Sequence, residues 1–136
     1  MSGQNRELPI TVLVVDDDRG SLALMAIILE RDGHQIITAE DGVAGLAAFE
    51  RHAPSIIITD INMPRLSGLD LIRRVRKSDG PLAHIPIIAL TAGSEEVMDQ
   101  AQCAGADIVA RKPDDMRRLP VFIQGFFEQR YSHNAI

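Results

Sequence analysis

The residues with the most chemical potential in this sequence are acids. Asp16, Asp17 and Asp18 stand in a row, Asp60 comes much later beside Asn62, and Thr91 and Lys112 follow. Carboxylates about 4 Å apart repel by roughly 1 kcal/mol in bulk water and about 4 kcal/mol at an effective dielectric of 20, so acids gathered at one place need a cation. Magnesium suits them, a hard octahedral ion that takes one or two carboxylates and keeps waters free for a phosphate. No Cys or His lies near these positions to suggest zinc. A carboxylate beside such an ion can attack phosphorus and form an aspartyl phosphate. That transfer needs positioning and charge neutralisation more than covalent help, and Lys112 and Thr91 would supply an ammonium and a hydroxyl.

Such residues act together only if the chain brings them together. Short β-branched runs at 10–15, 35–39, 55–59 and 85–90, with a weaker one at 107–110, read as strands. The runs from Ile10 and Ile56 are read as continuously apolar instead of alternating, as expected of parallel strands buried on both faces. Between them, Leu22, Met25, Ile28 and Leu29 share a helical face that should end near Gly33. Val43, Leu46 and Ala47 are read in the same way, as are Leu69, Ile72 and Val75, and then Val97, Met98 and Ala101. The stripe Leu119, Phe122, Ile123, Phe126 and Phe127 marks a last helix, whose start Pro120 should bend or delay. Alternating strands and helices predict right-handed crossovers and an α/β fold with helices on both faces of a five-stranded parallel sheet. Ligands of such sheets bind at the carboxyl ends of strands, where Asp16 to Asp18, Asp60, Thr91 and Lys112 all fall.

With the residues so placed, the chain resembles the receiver domain of two-component response regulators, the kind found in the chemotaxis response regulator. The resemblance runs from about residue 10 to 130. It is carried by V-V-D-D at 14–17, I-I-T-D-I-N-M-P at 57–64, S-G at 67–68, A-L-T-A at 89–92 and K-P at 112–113. It implies a flavodoxin-like sheet of order 2-1-3-4-5 and a phosphoacceptor switch loaded by a sensor histidine kinase or a histidine phosphotransfer protein. Asp60 would accept the phosphoryl group. Asp17 and Asp60 would hold Mg²⁺ through side chains, Asn62 through its backbone carbonyl, and Asp16 through a metal-bound water. Thr91 would hydrogen-bond a phosphoryl oxygen, and Lys112 would pair with the Asp60 carboxylate and then with the phosphate. The Lys112-Pro113 bond is often cis in this family. The switched surface would lie around the fourth helix, fifth strand and fifth helix, where a downstream protein would dock. The domain would be a monomer or a weak phosphorylation-dependent dimer, and no enzyme beyond its own phosphorylation and dephosphorylation.

The sequence also departs from that family. Val109 stands where most receivers carry Tyr or Phe, Arg111 precedes the lysine, Asp114 follows Lys-Pro, and Gly93 leaves the path of attacking water open. A flavin carrier of the same topology is disfavoured because three acids would repel its phosphate. A Mg²⁺-dependent phosphatase with an Asp nucleophile would carry its Asp-x-Asp motif after the first strand, whereas here Asp60-x-Asn62 follows the third, and the chain has no P-loop motif.

Composition bounds the rest. The 136 residues, 46% hydrophobic and 24% charged, suit one folded domain, expected over 9–130 with flexible termini at 1–8 and 131–136. The longest apolar run, 22–29, is far short of the roughly 20 residues that span a bilayer. With no signal peptide and one cysteine, the expected location is the cytoplasm. A net charge of −5 disfavours nucleic acid as a partner. The start at Met1 and the lack of a linker after the last helix favour a stand-alone regulator. Blander readings are kept for other residues: Asp18 as a helix cap, Cys103 as a buried small hydrophobe, and His34, His52, His84 and His133 as surface or loop residues. Arg73, Arg74, Arg76 and Lys77 read as a solvated helix face.

Overall fold

A computed structural model describes residues 10–134, and the side chains of 10–128. Five strands alternate with five helices: β1 Thr11–Val15, α1 Arg19–Arg31, β2 Gln35–Ala39, α2 Gly42–His52, β3 Ile56–Asp60, α3 Gly68–Lys77, β4 Ile87–Thr91, α4 Glu95–Ala104, β5 Ile108–Arg111 and α5 Leu119–Asn134. All neighbouring strands pair parallel. The sheet order is β2-β1-β3-β4-β5, as anticipated. The helix α5 runs beyond residue 130, into the segment expected to be flexible; residues 1–9 and 135–136 lie outside the described residues.

The pleat divides the core in two, because successive strand residues point to opposite faces. Leu13, Val15, Ile57 and Ala89 pack with Phe49 of α2, Leu71, Ile72 and Val75 of α3 and Ala101 of α4. Val12, Val14, Ile56, Ile58 and Leu90 pack on the other face with Leu22, Met25 and Leu29 of α1 and Leu119 and Ile123 of α5. Each Val, Leu, Ile, Phe or Met among these contributes about 1.5–3 kcal/mol by leaving water, so these faces fix the register.

The structure moves several sequence expectations. Both β3 and β4 run one residue further than the apolar runs suggest, because Asp60 pairs with Leu90 and Thr91 with Arg111. The strand β4 begins at Ile87, after a 3-10 turn at Pro81–His84 and after Pro86, which has no N–H to offer a ladder. The helix α2 turns a different face inward: Val43 is exposed, and Gly42, Gly45 and Phe49 are buried. A Cβ on Gly45 would lie 2.9 Å from Val15 Cγ2, so this helix sits closer to the sheet than an apolar stripe would allow. Cys103 is exposed on α4 rather than buried. The His34 side chain is almost wholly enclosed, with Nε2 3.2 Å from Asp32 Oδ2. The phenylalanines of α5 are partly buried, while Leu119 and Ile123 provide its buried contacts.

Candidate functional site

Every expected site residue falls at the carboxyl end of the sheet. The Asp16 backbone N–H donates to Ala39 O at 3.1 Å, extending the β1–β2 ladder by one residue and fixing that side chain beyond the strand. Asp16 Oδ1 accepts from the Asp18 N–H at 2.9 Å. Asp18 then caps α1, accepting from the Ser21 N–H and from the Ser21 hydroxyl at 2.7 Å; that hydroxyl bond, first among several, lowers its pKa. Asp17 remains exposed between them. Asp60 ends β3, held by its pairing to Leu90, and the Ile61 N–H bonds Leu90 O just after it. Thr91 ends β4, and the Lys112 N–H donates to Thr91 O at 3.0 Å, so the end of β5 is tied to the threonine. The Lys112-Pro113 peptide is cis.

Carboxylate oxygens of Asp16, Asp17 and Asp60 lie within 4.8 Å of one another. Lys112 Nζ stands 2.6 Å from Asp16 Oδ2 and 3.6 Å from Asp60 Oδ1. The lysine is therefore closer to Asp16, which is fully buried and cannot turn to water for its charge. At 2.6 Å the Lys112 ammonium and Asp16 Oδ2 form a tight, buried ion pair. Burial pushes the Asp60 carboxyl up to about 6; Lys112 opposes that rise and the neighbouring Asp16 adds to it. Burial works to lower the pKa of Lys112, but the Asp16 and Asp60 carboxylates outweigh it and hold the ammonium more firmly protonated. Three acids facing one ammonium form an all-oxygen donor set that fits a hard divalent cation.

The Thr91 hydroxyl is oriented by its own turn, accepting from the Gly93 N–H at 2.8 Å. Its hydrogen is left for a neighbouring acceptor.

A family model for the response regulator receiver domain matches residues 12–124. The chain belongs to that family. This receiver is 35% identical over 127 residues to the transcriptional regulatory protein TrcR of Mycobacterium tuberculosis, a match that covers 92% of this chain and 48% of TrcR. It is 34% identical over 100 residues to the polar-differentiation response regulator DivK of Brucella anthropi, covering 71% of this chain and 80% of DivK. A crystal structure of a receiver domain protein from Clostridium thermocellum superimposes with a TM-score of 0.80 at 30% identity, covering 90% of this chain and 97% of that one. The receiver thus spans about half the length of TrcR. Among the described residues no helix is long and apolar enough to cross a membrane.

Two arginines that sequence reasoning passed over shape this receiver. Arg76, read as part of a solvated face, donates to the carbonyls of Gly105, Ala83 and Ile85 at 2.7–2.9 Å and pairs with Asp107 at 2.9 Å. Asp107 in turn accepts from the Ile87 N–H, so one guanidinium ties α3 to the starts of β4 and β5. Its sequence neighbours conceal this, since the partners lie 7 to 31 residues away. Arg65 holds a left-handed backbone, φ 68, and pairs with Asp41 at 2.8 Å; no motif in the sequence signals it.

Proposed function

We propose that this receiver is a phosphoacceptor switch in which Asp60 takes a phosphoryl group from a histidine kinase or a histidine phosphotransfer protein. The observation that carries the reading is the trio Asp16, Asp17 and Asp60 closed around one charge by Lys112. With its pKa near 6, Asp60 is mostly ionised at neutral pH and available as a nucleophile. An Asp60 oxygen attacks phosphorus, the donor's P–N or P–O bond breaks, and the donor leaves with that electron pair. Lys112 lies within reach of Asp60 and offsets charge on the incoming oxygens, and Thr91 offers its hydroxyl to one of them. Asp16, Asp17, Asp60 and the Asn62 carbonyl would hold Mg²⁺, which when bound supplies charge neutralisation for the carboxylates and the phosphoryl oxygens. Water attack at the same phosphorus later returns the carboxylate and releases phosphate. Beyond this self-limited chemistry the domain acts as a switch, its altered surface lying around α4, β5 and α5 and docking a downstream protein.

This reading expects cytoplasmic location, a monomer or a weak phosphorylation-dependent dimer, and neither nucleic acid nor membrane as a direct partner. Incubation with acetyl phosphate and Mg²⁺ tests it by intact-protein mass spectrometry. The expected result is one phosphoryl adduct, lost with chelator and lost in Asp60→Asn. An Asp60→Asn protein that labels as strongly as the unchanged chain would refute it.

A further inference from the structure

The residues from Ile61 to Ser67 connect the end of β3 to α3 and include Asn62. Buried Ile61 and Met63 pin the first part of this loop into the core beneath α3, with Asn62 exposed between them. Its far end closes where the Gly68 N–H donates to Ile61 O at 2.8 Å, a contact so tight that a Cβ on Gly68 would fall 2.1 Å from Asp60 O. The middle, Pro64 to Leu66, lacks such anchors in the core. It rests instead on the start of α2.

Two independent observations define that rest. A Cβ on Gly42 would fall 2.1 Å from Leu66 O and 2.8 Å from Leu66 Cβ, so the loop backbone lies directly on the first residue of α2. One residue earlier, Asp41 caps the helix with Oδ1 on the Ala44 N–H and holds the Arg65 guanidinium with Oδ2 at 2.8 Å. Arg65 keeps φ 68 although its side chain is 70% exposed and no core packing imposes that shape. A left-handed backbone is costly for any residue with a Cβ, so what holds it here is the ion pair and the contact at Leu66.

We propose that the amino-terminal edge of α2 is a seat for the β3–α3 loop, which makes Gly42 and Arg65 positioning residues for the carbonyl that Asn62 would offer a metal ion. The inference rests on the receiver's acidic pocket being a Mg²⁺ site. Neither residue touches the ion; both act by fixing a backbone that must present an oxygen at one distance from Asp17 and Asp60. Intrinsic preference alone points the other way for both: alanine is a better helix residue than Gly42, and glycine suits φ 68 better than Arg65. Replacing each by its locally favoured residue therefore separates positioning from simple stability.

The experiment is a Mg²⁺ titration followed by amide shifts in ¹⁵N-labelled full chain, with amide hydrogen exchange of residues 61–67 measured in chelator. The unchanged protein binds with a measurable Kd. Gly42→Ala is expected to weaken binding about tenfold or more and to displace the Asn62 and Met63 amide signals even without metal, since a backbone clash cannot be relieved by rotating a side chain. Arg65→Gly is expected to weaken Mg²⁺ binding about two- to fivefold, the range a part-exposed ion pair commands, and to speed exchange in 61–67 without lowering the thermal midpoint. Arg65→Lys, which keeps the charge, should restore most of the affinity. Wild-type affinity in both Gly42→Ala and Arg65→Gly would overturn the seat while leaving the pocket intact. An absence of Mg²⁺ response in the unchanged protein would overturn the pocket reading and the seat with it. If Gly42→Ala fails to fold, the Arg65 pair and its rescue decide the question.

Discussion

Metal-free Asp60 should be a liability to the fold at neutral pH, and replacing it by Asn should make the protein more stable. Its carboxyl stands at about 6 in the folded chain against 3.8 ordinarily, burial being the main cause. A folded-state value above the unfolded one means that the folded protein binds this proton more tightly. The group's favourable contribution is therefore fully present below about pH 3.8 and is lost as pH rises through 6. Two units at about 1.36 kcal/mol each give a penalty of about 3 kcal/mol once Asp60 is fully ionised. The side chain is only 10% exposed, so solvent screening takes little from that figure. Asp60→Asn removes the charge and leaves Lys112 its closer partner, Asp16. Urea unfolding in chelator, followed by circular dichroism from pH 4 to 7.5, checks it. The variant's advantage should grow from under about 1 kcal/mol to about 3 kcal/mol, a shift of about 1–2 M in midpoint at the upper pH. Added Mg²⁺ should narrow the gap, since a ligand bound only by the folded state stabilises by RT ln(1 + [L]/Kd) and the unchanged chain has more acid to offer. An advantage that does not vary with pH, or no advantage at pH 7.5, would refute the account.

Arg76→Ala should cost about 2–4 kcal/mol by thermal or urea unfolding, because it strips three half-buried carbonyls of a charged donor and leaves Asp107 without its guanidinium; Arg76→Lys should recover less than half. Beryllofluoride, a phosphoryl mimic, should move amide signals in 91–104 more than those in 107–111. In partner-binding assays Val109→Ala should stay near wild type while Thr91→Ala uncouples; the reverse pattern would exclude a route through the threonine.

The fold was legible in the sequence because its central strands are buried on both faces, and the short β-branched runs 12–15 and 56–58 are apolar without alternation. The site was legible for a related reason: the ends of parallel strands converge, so acids, threonine and lysine at four strand ends must meet. What stayed hidden depends on close approach. Gly42 and Gly45 look like weak points in a helix until Leu66 O and Val15 are found where their Cβ atoms would be. Arg76 looks like one more surface cation until its carbonyl partners, from Ala83 to Gly105, fold around it. Cys103 misled because a run of small residues reads as a packed helix, whereas α4 fully buries only Ala101.

That light burial of α4 also bears on how a switch without an aromatic ring would work. Val109 packs partly buried against the core face shared with α3 and α4, and Ile108 and Ala110 face the other side, so β5 alternates without a side chain able to swing between two pockets. Thr91 differs. Its hydroxyl is held by the Gly93 N–H, a bond worth about 1 kcal/mol net, and its carbonyl is held by the Lys112 N–H. A phosphoryl group adds about −1.5 to −2 charges and three strong acceptors, one of which can take the free Thr91 hydrogen and draw the hydroxyl toward it against the one neutral bond that holds its oxygen. Moving the hydroxyl releases Gly93, and the residues after it, Ser94 to Glu96, are exposed, with no side-chain cap at Ser94 to resist. At the opposite end of α4, Arg76 grips the Gly105 carbonyl. A helix clamped at its carboxyl end and lightly held at its amino end responds by pivoting, so the charge at Asp60 would be read out as the angle of α4.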